Sequence, residues 1–135
     1  MLKVFVYGTL KPGESNYQRY CAGKVVQEER SIAYGELFHL PAFGYPAMTT
    51  GYTRVQGYVL TFADADVLHK LDQLEDYDPQ RLPEENLYDR KQIETYNLDG
   101  RSQGIAWAYF MTSERVEGLG GIFIPSGWWF SSKYF

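Results

Sequence analysis

The sequence predicts an α+β fold: a closed or nearly closed mixed sheet with a flanking helix. Three observations carry this reading. Aromatic residues make up 17% of the chain, with 12 Tyr, a level that suits strands. Short β-branched and aromatic runs recur between glycine and proline punctuation. Only one stretch, residues 64–75, has the periodicity of a substantial helix. A chain of 135 residues is expected to form one domain, with enough buried surface to need no disulfide or metal staple.

The first strand is Lys3-Val4-Phe5-Val6-Tyr7, which stops abruptly at Gly8. Gly8 and Gly13 bound a tight loop in which the N–H groups of Thr9, Leu10 and Lys11 can form an anion-binding nest. The plainer reading is a first strand and its turn. A nucleotide-type phosphate loop is excluded, because Glu14 follows Gly13 where that motif needs lysine.

Residues 16–22 read as a short helix with Tyr17, Tyr20 and Cys21 on one face. Cys21 reads as core rather than nucleophile. Strands are expected at 25–26, 31–40, 47–50 and 54–62, with a loop at 41–46 and a turn at 51–53. His39 lies near a strand end with no second histidine close by, which favours a structural role. Gly57 inside a strand signals a bulge or a close backbone approach. Residues 87–98 are polar on both sides and read as a sheet edge, followed by a turn at 98–100. In the strand 103–111, Gly104, Ala106, Ala108 and Phe110 share a face whose small residues leave room for a bulky partner. The tail 120–135 is rich in glycine and aromatics.

In the helix at 64–75, with Asp64 as its expected N-cap, Val67, Leu68, Leu71 and Leu74 form an apolar stripe. Glu75 falls on that stripe, whereas Asp72 and Asp76 point to the expected solvent side. A carboxyl on an inward face is desolvated, which raises its pKa towards the range a general acid/base needs. The alternatives are a helix end emerging into water, or a pairing of Glu75 with Arg90 or Arg81.

The net charge of −4 argues against a nucleic-acid partner, which needs a basic face. No apolar run is long enough to span a membrane. A single cysteine and strand-like residues from Lys3 onward lead to the expectation of a reducing, cytoplasmic setting. Two histidines, no Cys/His cluster and no nucleophile elbow leave little for a triad or a zinc site. No metal and no cofactor are expected; the oligomeric state stays open.

Four segments together resemble the γ-glutamylcyclotransferase-like family, its γ-glutamylamine branch in particular. They are Val4-Phe5-Val6-Tyr7-Gly8-Thr9-Leu10 with Gly13, Leu71-Asp72-Gln73-Leu74-Glu75-Asp76-Tyr77, Tyr88-Asp89-Arg90, and Pro125-Ser126-Gly127-Trp128-Trp129. The resemblance implies a compact mixed β-barrel with flanking helices. It implies attack by the α-amine of a γ-glutamyl group on its own γ-carbonyl, releasing 5-oxoproline and an amine. By residue match, Glu75 is the acid/base and the backbone of Tyr7, Gly8, Thr9 and Leu10 holds the glutamyl head. Tyr88 and Arg90 are added as candidate substrate-binding residues. Asp76 and Trp128 depart from the pattern: glycine is frequent at the first position, and an aspartate often stands at the second. The partner implied is a small γ-glutamyl molecule. The alternatives are a non-catalytic module that binds a small carboxylate or amino-acid derivative, and an interaction domain using the aromatic tail. In that tail, Trp128 and Trp129 read as packing or as a lid hinged at Gly127.

Overall fold

The computed structural model describes residues 1–134. The elements in order are β1 (Leu2–Val6), α1 (Tyr17–Tyr20), β2 (Val25–Leu40), β3 (Tyr45–Phe62), α2 (Val67–Leu74), β4 (Asp89–Tyr96), β5 (Ser102–Phe110), α3 (Ser113–Gly118) and β6 (Ile122–Phe123). Five strands close into a ring in the order β3-β1-β5-β4-β2, with β2 pairing back to β3; β6 is added to the far end of β2. Among the described residues, only β1 and β5 run parallel, meeting at Val4 and Trp107. The fold is thus a mixed α+β ring, as expected.

The long β2–β3 hairpin replaces four shorter expected strands. The polar stretch Gln27 to Arg30 pairs with Thr61 to Tyr58 through backbone alone, so its exposed side chains do not interrupt the strand. The expected turn at 51–53 is instead an outward bulge inside β3. Gly35 pairs with Thr53 and Glu36 with Thr49, so residues 50–52 have no partners while the ladder continues on either side. Gly57 marks a close approach, because a Cβ there would sit 2.1 Å from the Val6 carbonyl oxygen of β1.

Two apolar clusters fill the molecule. One takes alternate residues from every strand of the ring, including Phe5, Ala33, Val55, Ala106 and Phe110, with Ile93 of β4 packed against it, and is therefore the ring interior. Trp129 belongs to this cluster and is fully buried, which supplies the bulky partner expected beside the small face of β5. The other cluster covers the outer face, where Val4, Val6, Leu60 and Tyr109 meet Val67 and Leu71 of α2. Burying each such side chain is worth about 1.5–3 kcal/mol. Cys21 lies in this outer core, where burial pushes its thiol up to about 11.

The helices are shorter than expected. α1 is a single turn. α2 begins at Val67 because the Asp64 carboxylate accepts the Asp66 N–H at 2.9 Å, making a turn before the helix rather than a cap on it. Of the tail, Phe135 lies outside the described residues. No helix among the described residues is long and apolar enough to cross a membrane.

Candidate active site

The site forms where β1 ends beside the C-terminus of α2. Leaving β1, the chain turns as the Lys11 N–H closes onto the Gly8 carbonyl at 3.0 Å. Asn16 holds the loop from the other side, donating its backbone N–H to Thr9 O at 2.8 Å and its Nδ2 to Thr9 Oγ1 at 2.9 Å. Lys11 therefore leaves the expected nest: its N–H is spent on the turn. Among the described residues, the N–H groups of Thr9 and Leu10 meet no acceptor in the protein.

Glu75 is the C-cap of α2, and a Schellman motif fixes it there. The Asp76 N–H reaches Gln73 O at 3.3 Å and the Tyr77 N–H reaches Asp72 O at 2.9 Å. Asp76 takes the left-handed position, with φ of 54°. This accounts for the departure noted at residue 76: the position calls for glycine's backbone, and aspartate is among the few other residues that tolerate it.

A cavity of about 80 Å³ joins the loop to the helix end, lined by Tyr7, Gly8, Thr9, Leu10, Glu75 and Tyr88. At about 10–15 Å³ per water centre, it holds a few waters or a group the size of an amino-acid head. Asn16, Tyr45, Pro46 and Tyr109 also line it. Of these, only the 41–46 loop had a signal in the sequence, through its prolines and glycine. Asn16 arrives through the loop that follows β1, and Tyr109 by ring closure.

Burial pushes the Glu75 carboxyl from 4.5 up to about 8. Among the described residues it forms no ion pair; Arg81 pairs with Asp76 at 3.1 Å and Arg90 with Asp72 at 3.0 Å. Both pairings considered for Glu75 are thus taken elsewhere. The phenols of Tyr7 and Tyr88 are raised well above the usual tyrosine range, by burial first and then by nearby charge including that of Glu75.

Arg90, expected to bind substrate, does not line the cavity. Its guanidinium stacks 4.5 Å from the Trp107 ring centre and is held by Asp72. Asp72 itself, expected to face solvent, is buried, because Arg90 of β4 and Tyr109 of β5 reach over that side of α2. The Tyr109 hydroxyl donates to Asp72 Oδ1 at 2.6 Å.

The tail packs rather than covers. Trp129 Nε1–H donates to His39 Nδ1 at 3.0 Å, and His39 stacks on Tyr134 at 3.7 Å between ring centres. His39 is buried, its pKa lowered by desolvation, and is not among the residues lining the cavity. The buried Lys11 ammonium donates to Trp129 O and sits 3.7 Å over the Trp128 ring. Gly127 is wedged, with its Cβ position 1.9 Å from Arg54 O, and is no hinge. Among the described residues, no group of three or more His, Cys, Asp or Glu is arranged to hold a metal ion.

Fold and cavity together define a small α+β ring protein with a half-buried carboxyl, unpaired among the described residues, beside a free-amide loop. The family described as "Gamma-glutamyl cyclotransferase, AIG2-like" matches residues 4–131, and the chain belongs to it. A protein of Vibrio cholerae described as "Putative gamma-glutamylcyclotransferase" is 35% identical over 127 residues, covering 93% of both chains. Among solved structures, YkqA of Bacillus subtilis is similar with a TM-score of 0.64 and 27% identity; 95% of this chain aligns, spanning 39% of that longer one. A mouse AIG2-like protein has a TM-score of 0.62 at 23% identity over 82% of this chain and 77% of its own, a likeness of fold.

Proposed function

We propose that the protein cyclises γ-glutamyl amines or γ-glutamyl peptides, releasing 5-oxoproline and a free amine. The observation that carries this reading is the Glu75 carboxyl. It is raised to about 8 by burial, forms no ion pair among the described residues, and shares one cavity with the Tyr7 to Leu10 loop.

Ring closure needs orientation more than a protein nucleophile. For a well-placed intramolecular attack, effective molarities reach about 10⁵–10⁸ M. With its carboxyl raised to about 8, Glu75 is mostly protonated at pH 7 before substrate arrives. An incoming ammonium favours the carboxylate, since opposite charges stabilise each other's charged forms. The carboxylate then takes a proton from the α-ammonium. The freed nitrogen attacks the γ-carbonyl carbon, forming the ring C–N bond and placing negative charge on oxygen. Collapse of that intermediate breaks the bond to the leaving amine, which receives its proton from Glu75, and the ring nitrogen passes its extra proton to the released amine, which departs as the ammonium. One carboxyl near pKa 8 serves both transfers. The free Thr9 and Leu10 N–H groups supply donors for a substrate anion, either the α-carboxylate or the developing oxyanion.

The protein's net charge offers no long-range attraction for an anion, so recognition falls to these local groups. Incubation with a panel of γ-glutamyl amines and dipeptides should yield 5-oxoproline and amine in equal amounts. Formation of free glutamate would show hydrolysis instead, and no product from any member would favour the binding-module reading.

A further inference from the structure

Three tyrosines of the cavity wall have their hydroxyl protons committed to acceptors within the protein. Tyr88 donates to Pro46 O at 2.7 Å, Tyr7 to Tyr109 O at 2.8 Å, and Tyr109 to Asp72 Oδ1 at 2.6 Å. The first two acceptors are carbonyl oxygens, which cannot donate in return. The third is an oxygen of the Asp72 side chain, whose other oxygen takes the Arg90 guanidinium at 3.0 Å. A phenol has one proton and two lone pairs. Tyr7 uses one lone pair on the Met48 N–H at 3.2 Å and keeps the other. Each of the three phenols therefore meets a ligand only as an acceptor.

We infer that Tyr7, Tyr88 and Tyr109 form an acceptor-only cradle beside Glu75 that selects ligands bearing a primary ammonium at the α-carbon. The inference rests on the γ-glutamyl reading above and assigns that substrate's amine its binding partners. An ammonium offers three donors and no acceptor, the complement of this wall. The loop amides of Thr9 and Leu10 offer the reverse polarity for a carboxylate. Together the two sets read both ends of an amino-acid head. A hydroxyl or a bare methylene in place of the amine leaves buried lone pairs unmatched, which is how such sites reject analogues. Arg90 gains a role at one remove: by fixing Asp72 it fixes the direction of the Tyr109 proton, which makes it a positioning residue.

The test is binding of L-glutamate and of glutarate, its counterpart without the amine, by titration calorimetry at pH 7. The wild-type protein should bind L-glutamate at least 10-fold more tightly. Tyr88→Phe should weaken L-glutamate 5- to 20-fold and leave glutarate within 2-fold. Should that variant fail to fold, Tyr109→Phe and the wild-type comparison carry the same test. Equal affinity for the two ligands, binding of neither, or parallel losses for both in the variants would overturn the inference. Loss of amine selectivity in a protein that still releases 5-oxoproline would leave the proposed reaction standing. Amine selectivity without turnover would leave the cradle standing and remove the reaction.

Discussion

Replacing Glu75 with glutamine should change how stability depends on pH, in a direction fixed by the structure. Burial raises this carboxyl from 4.5 to about 8 in the folded protein. At 1.36 kcal/mol per pKa unit, the full difference corresponds to about 4–5 kcal/mol. The residue is half-buried, and solvent reaching it trims the expected effect to about 2–4 kcal/mol. The sign follows from proton uptake. Between pH 4.5 and 8, the folded state holds this proton and the unfolded state does not, so stability falls as pH rises. The group's contribution is fully present below pH 4.5 and lost once pH passes about 8. Glutamine does not titrate. Urea unfolding of both proteins at pH 4, 6, 7.5 and 9 should show Glu75→Gln gaining on the wild type through that window, by about 2–4 kcal/mol in total. Other titrating groups are common to both and cancel in the difference. Parallel curves would mean that the carboxyl is not desolvated, and the acid/base reading of Glu75 would lose its physical basis.

Other substitutions probe the walls and the tail. In Gly8→Ala, the new Cβ lies 2.7 Å from Pro46 Cγ, so the cavity wall must move; KM for a γ-glutamyl amine should rise about 5- to 20-fold in steady-state assays, with far-UV circular dichroism unchanged. Trp129→Phe removes the hydrogen bond to His39 and part of the ring-interior packing, and should cost about 1–3 kcal/mol in urea unfolding, with turnover at saturating substrate near wild type. Asp76→Gly should stay within about 1 kcal/mol of wild type, since glycine suits the left-handed position and the exposed pair with Arg81 is worth little. Asp76→Val should lose about 1–2 kcal/mol by the same measurement.

What the sequence made legible was local. The loop after β1 announces itself because Gly8 and Gly13 bracket it, and Glu75 stands out because it interrupts an apolar helical stripe. Both signals lie within one element and its cap. Arg90 and Asp72 were misplaced for the opposite reason. Their pairing joins β4 to α2 across 18 residues, and helical periodicity alone cannot show that two neighbouring strands will cover the flank bearing Asp72. Tyr45 and Tyr109 enter the wall only once β1 lies between β3 and β5, a neighbour relation set by ring closure. The hairpin was cut into pieces because polar side chains at 27–30 and a bulge at 50–52 look like breaks. Backbone pairing tolerates both when the side chains face water. The single tail glycine that read as a hinge proved wedged, since nothing in Gly127's neighbours reveals how near the Arg54 carbonyl lies.

The most direct measurement is the rate of 5-oxoproline formation by Glu75→Gln at saturating γ-glutamyl amine, beside wild type, with the fold of both verified by circular dichroism. Glutamine keeps the shape of the side chain but can neither accept the ammonium proton nor supply one to the departing amine. The expected result is a fall of about 10²–10⁴-fold with the substrate still bound. Release at the wild-type rate would contradict the account and send the proton transfers to some other group.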